Sequence, residues 1–176
     1  MISIMDSRVL DANSECLGVP VKSLMESAGK ALAEIIDSEC TGRTLIICGN
    51  GNNGGDGYTA AKFCKSNVTV ASFKKPKSPL CIEASNNIKS VPYKDVKLTD
   101  YNLIVDCVLG TGVEGNLRPE YTEYINSVNQ TGIKIISCDV PTGFGTEISV
   151  RSDITVTFHD IKEGMSQDNC GQVVVA

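Results

Sequence analysis

At 176 residues the chain is one domain's length, enough to bury about two thirds of its unfolded surface around a single core. Sixteen lysines and arginines against 21 aspartates and glutamates leave a net charge of −5, which excludes broad binding to nucleic acid or to a membrane surface. Any anionic ligand must therefore be held by local geometry.

Residues 1–13 carry Asp6 and Asp11 and show no basic stretch followed by an apolar one, so neither a secretory signal nor a membrane span is expected, and the cytoplasm is the expected compartment. Residues 3–17 place Val9, Leu10, Cys16 and Leu17 at helical spacing, with Gly18 as a stop. Pro20 suits the first turn of a second helix, whose apolar stripe runs through Val21, Leu24, Met25, Ala28, Leu32, Ile35 and Ile36. The small pair Ala28-Gly29 leaves room for close approach of the sheet or of a second subunit. From Arg43 onward strands are expected at 44–48, 67–72, 102–108 and 133–138, with helices near 56–65, 80–89 and 119–130. Two further strands, 154–158 and 172–175, lie near one edge, and Lys162-Glu163-Gly164 between them reads as a turn. Runs such as Leu103-Ile104-Val105 and 133–136 are nearly continuous in apolar residues, as a mostly parallel sheet covered by helices on both faces requires. Of the eight cysteines, Cys48, Cys107 and Cys138 sit in or beside such runs and no pair has CxxC spacing, so buried reduced thiols are expected rather than a disulfide frame. Phe73-Lys74-Lys75-Pro76-Lys77-Ser78-Pro79 is a basic surface loop, either solvated or turned to a phosphate.

The chain is organised around Gly49-Asn50-Gly51-Asn52-Asn53-Gly54-Gly55-Asp56-Gly57, directly after the first strand. Five glycines in nine residues imply a backbone that turns sharply and comes close to a ligand, and free N–H groups at the start of the next helix make an anion cradle. The spacing Gly49-x-Gly51-x-x-Gly54 fits the dinucleotide fingerprint, but the acid expected some 20 residues on is missing from Val70-Ala71-Ser72-Phe73-Lys74. A hydride-transferring, NAD-dependent dehydrogenase is thus a poor fit. Two more strands end in polar loops at the same sheet edge. One begins inside its strand at Asp106 and continues through Gly110-Thr111-Gly112-Val113-Glu114-Gly115-Asn116. A carboxylate within Ile104-Val105-Asp106-Cys107-Val108 needs either a charged partner or backbone N–H donors, because an isolated ion there loses its hydration. The other is Asp139-Val140-Pro141-Thr142-Gly143, a turn that also brings an acid to this edge.

Asn52-Asn53-Gly54-Gly55-Asp56-Gly57, Val105-Asp106 with Gly110-Thr111-Gly112, and Asp139-x-Pro141-Thr142-Gly143 resemble the three motifs of the NAD(P)HX epimerase family, the YjeF N-terminal domain. Leu24-Met25-Glu26-Ser27-Ala28-Gly29 resembles its N-terminal helix motif, and Thr155-Val156-Thr157-Phe158 with Lys162 and Gly164 its C-terminal one. The match runs in order over nearly the whole chain. The resemblance implies one three-layer Rossmann-like domain over 1–176, acting on NADH or NADPH hydrated on the nicotinamide ring and interconverting the R and S epimers for a separate dehydratase. It implies substrate contacts from Asn52, Asn53, Gly54, Gly55, Asp56, from Gly110, Thr111, Gly112, Val113, Glu114, Gly115, Asn116, and from Asp139. It also implies a potassium ion on Asn53, Asp106 and Thr142, where the family usually has serine in place of Thr142. Amide, carboxylate and hydroxyl oxygens suit a hard cation. Homodimers built through the N-terminal helices are a further implication.

The substrate's hydroxyl sits beside the ring nitrogen, whose lone pair can expel it as water once an acid supplies a proton. Water then adds to the other face of the iminium. One carboxyl group that gives and then takes a proton serves both halves, and Asp139 is the candidate. Ring opening to an aldehyde is a competing route. Lys162 either orients Asp139 and neutralises charge or is a surface lysine in a turn. The rival to an enzyme is a non-catalytic nucleotide-binding or scaffold module of the same fold, such as those in messenger-RNA decapping or lipoprotein binding. Four polar groups at one edge, Asn52, Asn53, Asp106 and Asp139, speak against it.

Overall fold

The computed structural model describes residues 1–16, 18–112 and 115–176, with the backbone alone for 8, 11, 12 and 14–16. Two helices, α1 (Ile4–Cys16) and α2 (Val21–Glu39), precede a run of strands and helices: β1 (Thr44–Cys48), α3 (Asn52–Phe63), β2 (Val68–Ser72), α4 (Pro79–Ser85) and β3 (Ser90–Pro92). After two single turns of 3₁₀ helix come β4 (Leu103–Cys107), α5 (Pro119–Asn129), β5 (Lys134–Cys138), β6 (Ile154–Thr157), α6 (Gln167–Cys170) and β7 (Gln172–Val175). All strand pairs are parallel, in the order β3-β2-β1-β4-β5-β6-β7.

Alternation across the pleat divides the core. Ile46, Cys48, Val105, Cys107, Ile136 and Cys138 pack with residues of α2, α3 and α4, while Leu45, Ile47, Ile104 and Ile135 pack with Tyr124, Ile125 and Val128 of α5. The result is the three-layer α/β arrangement, with strand order reversing between β1 and β4. Ligand crevices of open α/β sheets lie at such a switch point, beyond the carboxyl ends of the strands.

Strands β1 and β7 fall where their apolar runs place them, and the other four expected strands differ by a residue or so at their ends. Strand β3 and helix α6 carry no sequence signal of their own. Ser90-Val91-Pro92 is a three-residue edge strand ending in proline, held only by β2. The helix expected over 80–89 stops at Ser85, and Asn87 takes a left-handed φ of 66°.

Helix α3 begins at Asn52, not at Asp56, so most of the glycine-rich loop is the helix's own first turns. None of its glycines has a positive φ. They are small because backbones meet there: a Cβ would lie 2.0 Å from Val108 O at Gly49, 2.2 Å from Gly49 O at Gly54, and 2.6 Å from Met25 Cε at Gly55. At Gly57 it would lie 2.9 Å from the sulfurs of both Cys48 and Cys107. Close packing, not a sharp turn, explains Gly49, Gly54, Gly55 and Gly57, while Gly51 has open space where its Cβ would stand. Gly29 follows the same rule, since its Cβ would stand 2.5 Å from Thr59 Cγ2, so this glycine seats α3 against α2.

The seven described cysteines form no disulfide, and Cys48, Cys81, Cys107, Cys138 and Cys170 are buried. Burial pushes the Cys107 thiol up to about 11, which leaves it protonated and unreactive. Among the described residues no helix is long and apolar enough to cross a membrane.

Candidate active site

A cleft of about 580 Å³ opens at the carboxyl edge of the sheet, over the switch point. Its floor and walls come from separate stretches of chain: Asn50 to Asn53 and Asp56 after β1, Val108 to Gly112 after β4, Asp139 after β5, and Phe158 and His159 after β6. Leu24, Met25, Ser27 and Ala28 of α2 close one side. The size is within the usual range for small-molecule sites.

The start of α3 faces this cleft. Its N-cap residue, Gly51, brings no side-chain cap, so the first helical amides are left for another acceptor and the helix dipole favours a negative one. Asn50 is fixed from behind, its carbonyl accepting from Lys77 N at 2.9 Å and Ser78 N at 3.1 Å. The basic loop therefore braces the site through its backbone. Its Lys74 side chain is bound to Glu120 and lies over the Tyr121 ring, Lys75 and Lys77 are exposed, and none of the three lines the cleft.

Asp106 is fully buried at the end of β4. Tyr124 donates to its Oδ1 at 2.9 Å and Thr142 Oγ1 to the same oxygen at 2.7 Å. Its Oδ2 accepts from Thr142 N at 2.8 Å and Ser137 Oγ at 3.0 Å. Burial nevertheless raises its proton affinity above the ordinary aspartate value, the hydrogen bonds from Thr142, Tyr124 and Ser137 offsetting only part of that effect. Thr142 is itself well held: its hydroxyl accepts from Leu109 N at 3.0 Å, and its carbonyl accepts from Val150 N at 2.9 Å. Gly143 follows at φ 89°, where a Cβ would also strike Ile148 O at 2.3 Å, so this turn requires glycine.

Asn53 lies beside the same segment, its Nδ2 3.4 Å from where a Cβ on Gly110 would be. Both polar atoms of its side chain are buried and have no hydrogen-bond partner among the described residues. A buried unpartnered amide costs about 1–3 kcal/mol, so this group calls for a ligand. Among the described residues no set of three or more His, Cys, Asp or Glu side chains is placed to hold a metal ion. The donors gathered around Val108 to Gly110 are instead an amide, a carboxylate and a hydroxyl, which fit a hard cation with oxygen preference.

Asp139 leaves β5 with φ 64°, a left-handed conformation that is uncommon for residues with side chains and tolerated best by Asn and Asp. Its backbone is pinned by Asp139 N to Val156 O at 2.7 Å. Its carboxylate meets Lys162 Nζ at 2.8 Å. Lys162 is not a surface lysine: it is 0% exposed, and its ammonium also donates to Thr157 Oγ1 at 2.7 Å and Phe158 O at 2.5 Å. Its backbone forms a parallel bridge with Ile2 before the chain turns at Glu163 and Gly164.

Of the expected substrate contacts, Asn52, Asn53, Asp56, Gly110, Thr111, Gly112 and Asp139 line the cleft. Gly54 and Gly55 do not; they are buried against Gly49 and Met25. Gly115 and Asn116 are exposed and away from the lining, and Val113 and Glu114 lie outside the described residues. Ser7, Ser27 and His159 line the cleft without having been singled out from sequence. His159 had a readable signal, standing just past an expected strand that ends at the same edge, and in the structure it holds a left-handed φ of 66°.

Residues 21–164 match the family model described as YjeF-related protein N-terminus. The bifunctional NAD(P)H-hydrate repair enzyme Nnr of Archaeoglobus fulgidus is 36% identical over 99% of this chain and 40% of its own length. An NAD(P)H-hydrate epimerase of Cenarchaeum symbiosum is 31% identical, over 99% of this chain and 92% of its own. An NAD(P)H-hydrate epimerase of Plasmodium knowlesi is 33% identical over 86% of this chain and 60% of its own. The chain thus spans about two fifths of the bifunctional relatives it matches. The crystal structure of yeast ynu0 superposes with a TM-score of 0.80 at 20% identity, covering 99% of this chain and 86% of that one, a likeness of fold. With the motifs, the sheet order and the matched span in agreement, the chain belongs to the family of YjeF-related protein N-termini.

Proposed function

We propose that this chain is an epimerase that interconverts the R and S forms of hydrated NADH or NADPH, the activity named for its relatives in Cenarchaeum and Plasmodium. The observation that carries the reading is Asp139: a carboxylate on the cleft, in a strained backbone conformation, fixed at 2.8 Å by a fully buried ammonium. Strain of this kind persists only where the surroundings over-determine it, and it gathers at functional sites.

The uncapped start of α3 binds the pyrophosphate through backbone N–H groups, with Asn52 and Asn53 at the rim. The hydrated ring then lies over Asp139. In its protonated form the Asp139 carboxyl group gives that proton to the departing hydroxyl as the ring nitrogen's lone pair forms the iminium, and the carboxylate left behind takes a proton from the water that adds to the opposite face, which restores the starting form. Such acid/base assistance is worth about 10² to 10⁴-fold. Lys162 acts on Asp139 and not on the substrate. An ammonium has three donors, and its three acceptors are already Asp139, Thr157 and Phe158. It is a positioning residue.

Asn53, Thr142 and Asp106 are the residues that would hold a potassium ion, and the orphaned Asn53 amide supports this assignment. Bound there, the ion would supply a fixed positive charge close to the cleft. A dehydratase specific for one epimer consumes the product, an activity the bifunctional relatives' names are compatible with. Buried, protonated thiols favour a reducing compartment such as the cytoplasm, and association through the N-terminal helices would make a homodimer.

The test is direct. Purified chain is given hydrated NADPH enriched in the R epimer, and the S form is followed by chromatography. Asp139→Asn, which tolerates the left-handed backbone, lowers turnover at least 10²-fold while the melting temperature holds. Undiminished turnover in that variant removes Asp139 from the mechanism, and no turnover in the native chain returns the scaffold reading.

A further inference from the structure

The Asp106 carboxylate has more donors than it can serve well. Besides the four bonds of 2.7 to 3.0 Å from Tyr124, Ser137 and Thr142, Val108 N approaches Oδ1 at 3.4 Å. A carboxylate offers about four lone-pair positions, so these five donors leave none open. Next to Gly110, four residues further along the same segment, Asn53 has an amide with no partner among the described residues. The three groups expected to share one ligand are therefore in opposite conditions: one saturated, one engaged through its hydroxyl, one orphaned.

Two of the donors are not part of the cleft wall or of the ligand set. Tyr124 comes from α5, is 1% exposed, and is held by the rings of Phe73 and Tyr93 at 5.2 and 5.5 Å. Ser137 comes from β5, on the register position beside Asp106, and shares a 2.5 Å contact with Ser152. Neither hydroxyl can swing to solvent. We infer that Tyr124 and Ser137 set the affinity of this site for a monovalent cation by competing with it for the oxygens of Asp106. Two arrangements of one carboxylate follow: in one it is closed by hydroxyl donors, and in the other a donor yields an oxygen to an ion that Asn53 also holds. This rests on the cation reading above and adds the residues that tune it.

Potassium chloride titrated against tetramethylammonium chloride at constant ionic strength, with the melting temperature as readout, separates the two. In the native chain potassium raises the melting temperature with a measurable midpoint. In Tyr124→Phe that midpoint falls to roughly one tenth, because a competing bond to a charged acceptor is gone. Ser137→Ala, which touches the other oxygen and leaves the aromatic packing intact, moves the midpoint the same way. Midpoints unchanged or raised in both variants, with the native response present, overturn the inference and leave the cation reading standing. A melting temperature indifferent to potassium in the native chain and both variants overturns the cation reading, and this inference with it.

Discussion

Asp106 and Asp139 stand at the ends of neighbouring strands, yet their surroundings give them different work. Asp106 is sealed in and met by hydroxyls, whereas Asp139 keeps 18% of its side chain exposed and faces an ammonium. Two carboxylates in one site divide their roles by environment. The Asp106 shift has a definite sign. Its folded-state pKa is raised above the ordinary aspartate value, so the native state binds the proton more readily than the unfolded chain. Stability from this group is then greatest at low pH and is lost as pH rises through the folded value. In tetramethylammonium buffer the native chain gains stability relative to Asp106→Asn as pH is lowered from 7 toward 4, read from urea midpoints. A constant difference between the two would mean that Asp106 does not titrate in that window. Lys162 belongs to the same scale. Lys162→Met removes a buried charge from three acceptors and costs about 2–4 kcal/mol in denaturant unfolding, the lower end applying because Asp139 retains some water. Lys162→Arg fails to restore it, since a planar guanidinium does not match three acceptors arranged for an ammonium. The burial of this lysine was not legible in Asp160-Ile161-Lys162-Glu163-Gly164, because what buries it is the bridge to Ile2 and the approach of Asp139, both remote in sequence.

At the scale of elements, α3 decides the shape of the site. Its glycines were conspicuous in the sequence, but their purpose was not: glycine density alone does not separate a turning backbone from one that other atoms press against. Only the register of β1 with β4, which sets Cys48 opposite Cys107 beneath Gly57, resolves the two. Gly57→Ala should therefore destabilise by about 1–3 kcal/mol through overpacking, although alanine is the better helix former by ~1 kcal/mol. Gly112→Ala, with nothing within 4 Å of its Cβ position, stays within about 0.5 kcal/mol. Equal effects at the two positions, measured by thermal or urea unfolding, would contradict the packing account. The α2 helix shows the complementary case. Its apolar stripe gives Leu32, Ala33 and Ile36 to the core, but Leu24, Ser27 and Ala28 near its start form a wall of the cleft. Periodicity identifies the face that is covered, not what covers it.

Over the whole molecule, one sheet edge collects segments from residue 50 to residue 159, and the strand reversal between β1 and β4 opens the space they share. A ligand that bridges these segments links parts of the chain that fold from opposite halves of the sheet, so it should stabilise the whole. At one hundred times its dissociation constant, hydrated NADPH contributes about 2.7 kcal/mol, which for a chain of this size raises the melting temperature by roughly 5–10 °C. No shift at concentrations that saturate turnover would mean that hydrated NADPH does not bind the folded chain with the affinity assumed.

The strands, the helices that cover them and the order of the three motif loops follow from the sequence alone, because apolar runs, proline and glycine act over a few neighbouring residues. Those local signals also bring Asp106, Asp139 and the Asn52-Asn53 pair to one edge once the sheet is taken as parallel. Which groups touch was decided only by tertiary structure. That Lys162 is wrapped by Asp139, Thr157 and Phe158, that Tyr124 and Ser137 close on Asp106, and that Asn53 finds no partner among the described residues depends on strand register and on helices packed from distant parts of the chain. Hydrogen-bond partners are selected within a few tenths of an ångström, and no pattern of residue types along one strand carries that information.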